Sequence, residues 1–267
     1  MIPVNEPWLQ EEDLQSLVAC FRSGWISSAG PQLESFEDSW AAYCGVRHGV
    51  AVSNGTTALE VAVEALRIGP GDEVIMPTFT IISCASAVIR AGGVPVLVDC
   101  DPLTFCMNPA EVEARVTSRT KAIMVVHMYG HPVDMDEIDR IARLHGLKII
   151  EDAAEVHGAE YLSGRGTAAA AWRRCGSMGD IATFSFFANK LITTGEGGMV
   201  VTADDALAQR SRSLRNLCFQ PTRRFLHFEQ GHQFRMTSLQ ASIGLRQIDR
   251  MAAIMERKRW EIGRAHV

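Results

Sequence analysis

The sequence predicts an α/β protein with a mostly parallel central sheet flanked by helices. Short apolar runs rich in β-branched residues recur between stretches of helical period, an alternation typical of parallel strands joined by crossover helices. The chain has 267 residues, of which 47% are hydrophobic and 21% charged. It is therefore long enough and apolar enough to bury a large core, which excludes a small stapled scaffold and a long disordered chain.

Six strands and four helices account for most of the alternation. We predict strands at residues 73–77, 94–101, 121–130, 147–154, 180–187 and 197–202. We predict helices at residues 56–66, 82–92, 109–116 and 133–145. In the last of these helices, Met135, Ile138 and Ile141 recur at helical spacing, so one face is expected to lie on the sheet.

Two segments interrupt this alternation. Residues 163–177 combine glycines and arginines with four consecutive alanines, and we expect an irregular excursion between two strands there. Residues 236–260 are predicted to form one long amphipathic helix. The final residues, 262–267, read IGRAHV, which one frame of a common sequencing adapter would encode. We expect them to be foreign to the gene, and a genomic locus that encodes them before a stop codon would contradict this.

Charge and cysteine usage exclude several classes of protein. The chain has 26 Lys and Arg against 31 Asp and Glu, a net charge of −5, so we expect no nucleic-acid partner. No run approaches the roughly 18 apolar residues of a membrane span, and the N-terminal residues are acidic where a signal peptide is basic. We therefore expect a cytoplasmic protein without a membrane partner. The seven cysteines are scattered without a CxxC pair, so neither a disulfide framework nor a metal site is predicted.

The segment SNGTTAL, residues 53–59, is a candidate phosphate site. It follows an apolar run and leads into a predicted helix. A helix N-terminus of small residues offers free backbone N–H groups and the positive end of the helix dipole. The alternative is an ordinary Ser or Thr helix cap with no ligand.

Two acids, Asp152 and Glu155, follow the apolar strand that ends in IIEDAAE. Open α/β sheets bind their ligands at this carboxyl edge. Asp152 could hold a protonated ring nitrogen there, although a solvated strand end is an equal alternative.

A single lysine, Lys190, lies between an apolar strand and a glycine-rich turn in TFSFFANKLITTGEGGM, five residues after the hydroxyl of Ser185. A lysine in a desolvated pocket has a lowered pKa and can form a Schiff base with a carbonyl group. Taken alone, Lys190 is more simply a surface lysine. A phosphate turn, an acid for a ring nitrogen and a Schiff-base lysine are together what pyridoxal 5′-phosphate (PLP) requires, so we predict this cofactor.

The motifs of the chain resemble those of the DegT/DnrJ/EryC1/StrS family of sugar aminotransferases. The resemblance is carried by IPVNEPWL, GWISSAGPQLESFE, SNGTTAL, GDEVIMPTFT, EDAAEVHGAEY, GSMGDIATFSFFANKLITTGEGGMV, RNL and FRMTSLQASIGLRQID. It implies a type I PLP-dependent aminotransferase fold and a homodimer with both active sites at the subunit interface. It also implies a large cofactor-binding domain, residues 1–235, and a helix, residues 236–261, that leads to a small C-terminal domain largely missing here.

The resemblance assigns roles to seven residues. Lys190 matches the catalytic lysine that bonds to the cofactor, Asp152 the acid on the pyridinium nitrogen, and Glu155 the residue that faces the phenolic oxygen. The backbone amides of Thr56 and Thr57 and the hydroxyl of Ser185 match the phosphate cradle, and Asn216 matches an asparagine that reaches the phosphate from the neighbouring subunit. Ile81 stands where many members carry an aromatic residue over the cofactor ring.

The implied reaction is transfer of an amino group from L-glutamate to a nucleotide-linked keto sugar, for surface polysaccharide biosynthesis. Within the family, the resemblance points to GDP-4-keto-6-deoxymannose as the acceptor and GDP-perosamine as the product. Two alternatives remain open. A PLP-dependent sugar dehydratase on the same fold has histidine in place of the lysine, and Lys190 argues against it. A cofactor-binding regulator or an inert fragment is favoured by the missing C-terminal part.

Overall fold

The computed structural model describes residues 5–220 and 222–264. The first residues of the IPVNEPWL motif and the last three of the segment 262–267 lie outside that part. The strands are β1 (His48–Val52), β2 (Glu73–Pro77), β3 (Val94–Val98), β4 (Thr120–Val126), β5 (Lys148–Asp152), β6 (Glu160–Ser163), β7 (Ala171–Arg174), β8 (Ile181–Ser185) and β9 (Gly198–Thr202). The helices are α1 (Glu11–Ser23), α2 (Pro31–Cys44), α3 (Gly55–Ala65), α4 (Ile82–Arg90), α5 (Pro109–Val112), α6 (Met135–His145), α7 (Asp205–Arg215), α8 (Ser238–Asp249) and α9 (Met251–Arg264).

The central sheet has seven strands in the order β1-β9-β8-β5-β4-β2-β3. The pairs β2–β3, β2–β4, β4–β5 and β5–β8 are parallel, whereas β9 pairs antiparallel with both β1 and β8. This confirms the predicted fold class. Because β4, β5 and β8 are parallel neighbours, their carboxyl ends meet at one edge of the sheet, where open α/β sheets bind ligands.

All six predicted strands are present, and most end a few residues earlier than predicted. The prediction for residues 121–130 is an example, because β4 stops at Val126 and a single 3₁₀ turn follows at Met128–Gly130. The apolar run extends past the end of the ladder since His127 and Met128 are themselves buried. An apolar run in the sequence therefore shows which residues are buried, and it can extend past the last residue that pairs as a strand.

The prediction of an irregular excursion at residues 163–177 was wrong in part. Residues Ala171–Arg174 form β7, which pairs antiparallel with β6 in a hairpin. The carboxylate of Asp136 on α6 anchors the turn, since it accepts hydrogen bonds from the hydroxyl of Ser163 at 2.8 Å and from the backbone amide of Gly164 at 2.8 Å. This long-range anchor is not visible in the local composition.

The prediction of one long helix at residues 236–260 was also wrong. Thr237 caps α8 by accepting a hydrogen bond from the amide of Gln240, and the chain leaves helical geometry at Arg250, where φ is −106° and ψ is 9°. The guanidinium group of Arg250 forms an ion pair with the buried carboxylate of Asp13 on α1. Two helices, α8 and α9, therefore replace one.

The sheet separates two hydrophobic cores. On β1, Val50 and Val52 belong to one core and Ala51 to the other, as expected when successive side chains point to opposite faces. The second core is built around Trp40 of α2, which is fully buried. Its ring centroid lies 5.0 Å from those of Phe184 and Phe186 and 5.2 Å from that of His157. Burial lowers the pKa of His157 to about 3, so this histidine is neutral at physiological pH.

Within residues 5–220 and 222–264, no helix has the length and apolar character that crossing a membrane requires.

Trp40→Ala should lower the free energy of unfolding by about 3 to 5 kcal/mol, because it removes a buried aromatic side chain and leaves a cavity. The matched control is Trp172→Ala on β7, where the native side chain is 66% exposed and the expected change is below about 0.5 kcal/mol. Urea denaturation measures both. Equal losses for the two variants would contradict this account of the second core.

Candidate active site

A cavity of about 520 Å³ lies at the carboxyl edge of the sheet, between the ends of β4, β5 and β8 and the N-terminus of α3. Five residues predicted from the sequence line it together, namely Thr56, Asp152, Glu155, Ser185 and Lys190. They come from three separate stretches of the chain, and the topology of the sheet brings them to one place. Ile81, which the resemblance places over a cofactor ring, also lines the cavity.

The N-terminus of α3 offers two unpaired donors to this cavity. A helix leaves its first backbone N–H groups without intrahelical partners. In α3 a reciprocal cap satisfies two of them, because the amide of Thr57 donates to the side chain of Asn54 at 2.9 Å and the amide of Asn54 donates to the hydroxyl of Thr57 at 3.2 Å. Among the described residues, the amides of Gly55 and Thr56 have no acceptor. They lie at the positive end of the helix dipole and suit an anion.

Three hydroxyl groups surround the two free amides. Ser185, Thr56 and Ser83 all line the cavity, and the hydroxyl oxygens of Thr56 and Ser83 are 2.8 Å apart. Two glycines allow the close packing. A Cβ on Gly55 would lie 2.8 Å from the Cβ of Ser185, and one on Gly198 of β9 would lie 2.2 Å from the carbonyl oxygen of Asn54. Both contacts are too short for any larger residue. The two free amides and the hydroxyl groups around them, here called the anion cradle, therefore require glycine at both positions.

The carboxylate of Asp152 lies at the inner end of the cavity and is only 3% exposed. Burial raises its pKa above the ordinary value. Four groups oppose that rise: the backbone amide of Ala154 at 3.1 Å, the thiol of Cys84 at 3.2 Å, the positive charge of Lys190 and the charge of His127. A carboxylate so placed is a strong partner for a cationic group that enters the cavity.

Lys190 and Glu155 form an ion pair across the cavity, with the lysine Nζ 3.6 Å from Oε1 of the glutamate. The other carboxylate oxygen of Glu155 accepts a hydrogen bond from the backbone amide of Tyr129 at 3.0 Å. Tyr129 adopts a left-handed backbone conformation with φ of 50°, which is uncommon for a non-glycine residue and concentrates at functional sites. The pair therefore holds the lysine amine at the cavity rather than in solvent.

The loop that carries Lys190 is closed at its base and anchored by α8. The amide of Phe186 donates to the carbonyl of Gly197 at 2.8 Å, which closes the loop where it leaves β8 and enters β9. Gln247 of α8 is buried and clamps Thr193, accepting from its amide at 3.0 Å and donating to its carbonyl at 2.7 Å. The position of the lysine thus depends on a helix more than fifty residues away in sequence.

Two predicted cofactor contacts are not available at the cavity within this chain. The amide of Thr57 was expected to bind phosphate, but it donates to the side chain of Asn54, so the free amides at this helix end are those of Gly55 and Thr56. Asn216 does not line the cavity, and its side-chain oxygen accepts a hydrogen bond from Arg235 at 2.9 Å. Its expected contact is with a neighbouring subunit, so that assignment stays a prediction.

Sequence reasoning missed Gly55, Ser83 and Cys84. The first was in view in the SNGTTAL motif, since the capping rule identifies which amides remain free once Asn54 is recognised as the cap. Ser83 and Cys84 are on α4, and only the packing of α4 against α3 brings them to the site.

The DegT/DnrJ/EryC1/StrS aminotransferase family matches residues 7–264. The chain belongs to this family. It is 50% identical over 250 residues to GDP-perosamine synthase from Caulobacter vibrioides, which covers 94% of this chain and 65% of that protein. It is 42% identical over 258 residues to GDP-perosamine synthase from Escherichia coli O157:H7, covering 97% and 68%. The chain therefore spans about two thirds of the length of these relatives.

A solved structure shares the fold closely. Spr1654 from Streptococcus pneumoniae, in its PMP form, superposes with a TM-score of 0.89 at 27% identity, over 98% of this chain and 69% of that one. Together with the family match, this confirms the predicted type I aminotransferase fold.

Gly55→Ala should abolish most anion binding at α3, because the new Cβ would push Ser185 away and distort the free amides. Inorganic phosphate is expected to raise the Tm of the wild type, as any ligand of the folded state does. Gly69→Ala is the control, since a Cβ there meets nothing within 4 Å. The rise should be retained in Gly69→Ala and lost in Gly55→Ala. An undiminished rise in Gly55→Ala would contradict the proposed cradle.

Proposed function

We propose that the chain is the cofactor-binding part of a PLP-dependent sugar aminotransferase. The observation that carries this proposal is the convergence in one cavity of an anion cradle, a buried carboxylate and a lysine amine. Any one of these features occurs in many proteins without a ligand. Family membership and the fold shared with Spr1654 in its PMP form support the same conclusion.

The residues present fit PLP. The amides of Gly55 and Thr56 and the hydroxyl of Ser185 would hold its phosphate, since the amides have no other acceptor among the described residues. Asp152 would pair with the ring nitrogen, and Lys190 would bond to the aldehyde carbon. Glu155 would face the phenolic oxygen. The cavity volume of about 520 Å³ lies within the usual range for a small-molecule site.

When bound, PLP supplies an electron sink for negative charge that develops on a substrate carbon. The protein supplies the remaining functions. The ionised carboxylate of Asp152 would keep a proton on the ring nitrogen, a preorganised electrostatic contribution in a water-poor cavity. The Nζ of Lys190 would be the base that moves a proton between the two carbons on either side of the transferred nitrogen, and Glu155 holds that amine at the cavity.

For the substrates, we propose L-glutamate as donor and a nucleotide-linked keto sugar as acceptor. Release of 2-oxoglutarate would complete the first half of the reaction, and the amino group would then pass to the sugar. The similarity to two GDP-perosamine synthases favours GDP-4-keto-6-deoxymannose as the acceptor and GDP-perosamine as the product. The product would serve surface polysaccharide biosynthesis.

We further propose a homodimer in which Asn216 of one subunit completes the phosphate cradle of the other. Exposed aromatic side chains favour a second copy as the partner. Phe79, Phe105 and Tyr129 form one exposed cluster close to the cavity, with ring centroids 5.8 to 6.4 Å apart. Such clusters are typical of surfaces that another protein covers.

Of the two alternatives, the sugar dehydratase requires histidine at the position that Lys190 occupies. The ion pair with Glu155 holds the Lys190 amine at the cavity, which favours the aminotransferase. The regulator or inert fragment is a distinct outcome of the first experiment below.

Absorbance spectroscopy tests the proposal. Purified protein with PLP should give the visible absorbance band of a cofactor bonded to lysine, and excess L-glutamate should convert it to the spectrum of the aminated cofactor, with 2-oxoglutarate released. A bonded cofactor that does not respond to glutamate would favour the regulator. Failure to bind PLP would favour the inert fragment.

Lys190→Ala should abolish covalent attachment of PLP and turnover, while the phosphate cradle should still bind PLP reversibly. Borohydride reduction followed by peptide mass spectrometry locates the attachment. Lys121→Ala on the surface is the control, because its side chain is 56% exposed and its Nζ lies 4.0 Å from the carboxylate of Asp72. Covalent labelling that persists in Lys190→Ala would contradict the assignment.

A further inference from the structure

A thiol contacts the buried carboxylate of the candidate site. Sγ of Cys84 lies 3.2 Å from Oδ2 of Asp152, and the cysteine is fully buried on the first turn of α4. The thiols of Cys20 and Cys106 donate to backbone carbonyl groups instead. Within residues 5–220 and 222–264, Cys84 is the cysteine that donates to a carboxylate.

The direction of this hydrogen bond follows from the chemistry of its partners. An ionised carboxylate only accepts, so the S–H of Cys84 donates to Asp152. The hydroxyl of Thr80 lies 3.2 Å from the same sulfur, and since the thiol proton is already engaged, Thr80 donates to it. A donor chain thus runs from Thr80 through Cys84 to the carboxylate, and each bond polarises the next.

The two oxygens of Asp152 have separate partners on separate elements. Oδ1 accepts from the amide of Ala154, 3.1 Å away on the segment after β5, and Oδ2 accepts from Cys84 on α4. Two fixed contacts of this kind determine the plane of the carboxylate. Each oxygen keeps a further lone pair for a group in the cavity.

We propose that Cys84 is a positioning residue for the transamination, one that orients the Asp152 carboxylate toward the ring nitrogen of the cofactor and stabilises its ionised form. This inference rests on the proposed function. Cys84 is fully buried and does not line the cavity, so it would act only through Asp152.

The electrostatic surroundings of Asp152 decide the direction of the expected effect. Besides the backbone amide of Ala154, three side chains act on its charge, those of Cys84 from α4, Lys190 from the loop after β8 and His127 from the end of β4. Burial raises the pKa of Asp152, and all three oppose that rise. Removing the thiol should raise the pKa further, so the carboxylate would take up a proton at a higher pH and lose its attraction for a protonated ring nitrogen.

Cofactor binding measured against pH tests the proposal. Cys84→Ala should weaken PLP binding about five- to tenfold near neutral pH, somewhat less than a hydrogen bond to a charged group usually contributes, because a thiol is a weak donor. The acid-side midpoint for loss of binding should move to higher pH. Cys84→Ser keeps a donor and should stay within about twofold of the wild type. Cys20→Ala, another buried thiol, should change neither value. Equal behaviour of Cys84→Ala and Cys84→Ser would overturn the proposal.

A second measurement needs no cofactor. The S–H stretching band that is lost in Cys84→Ser should lie at the low frequency of a thiol bonded to a carboxylate, and it should move to higher frequency in Asp152→Ala. An unshifted band would overturn this inference alone. A wild type that binds no PLP would instead overturn the proposed function, and with it the role of Cys84 toward the cofactor.

Discussion

The candidate site is organised around a carboxylate buried at the end of a parallel strand. Removing the charge of Asp152 from water is unfavourable unless other groups compensate for the lost solvation. The structure supplies an amide from Ala154, a thiol from Cys84 and the positive charge of Lys190, each from a different segment. A second cation in the cavity, such as a protonated ring nitrogen, would complete the compensation. Groups from α4 and from the loop after β8 thus converge on this one charge.

The anion cradle depends on which backbone donors are already paired at the N-terminus of α3. The cap made by Asn54 and Thr57 satisfies two of the donors that every helix N-terminus leaves unpaired, and it fixes the first turn of α3. The two remaining donors point to the cavity. Gly55 and Gly198 then permit the approach of Ser185 and of β9. The cradle and the carboxylate line the same cavity, an arrangement that suits a ligand carrying both an anionic and a cationic group.

Sequence patterns were sufficient to predict the strands of the sheet and to select individual candidate residues by their chemistry. Five of the six predicted strands were recognisable because they are apolar and mostly buried on both faces, and the edge strand β3 because it is apolar although partly exposed. Asp152, Ser185 and Lys190 were recognisable because each follows such a strand closely. What the sequence concealed depends on contacts distant in the chain. The hairpin of β6 and β7 is anchored by Asp136, and the break between α8 and α9 is set by the ion pair of Arg250 with Asp13. Cys84 reaches the site only through the packing of α4.

The most direct test of this account is a crystal structure of the chain grown with PLP. The phosphate should accept hydrogen bonds from the amides of Gly55 and Thr56, the ring nitrogen should lie against Asp152, and the aldehyde carbon should be bonded to Lys190. PLP bound in the reverse orientation, or bonded to a different lysine, would contradict the claim that these three features form one cofactor site.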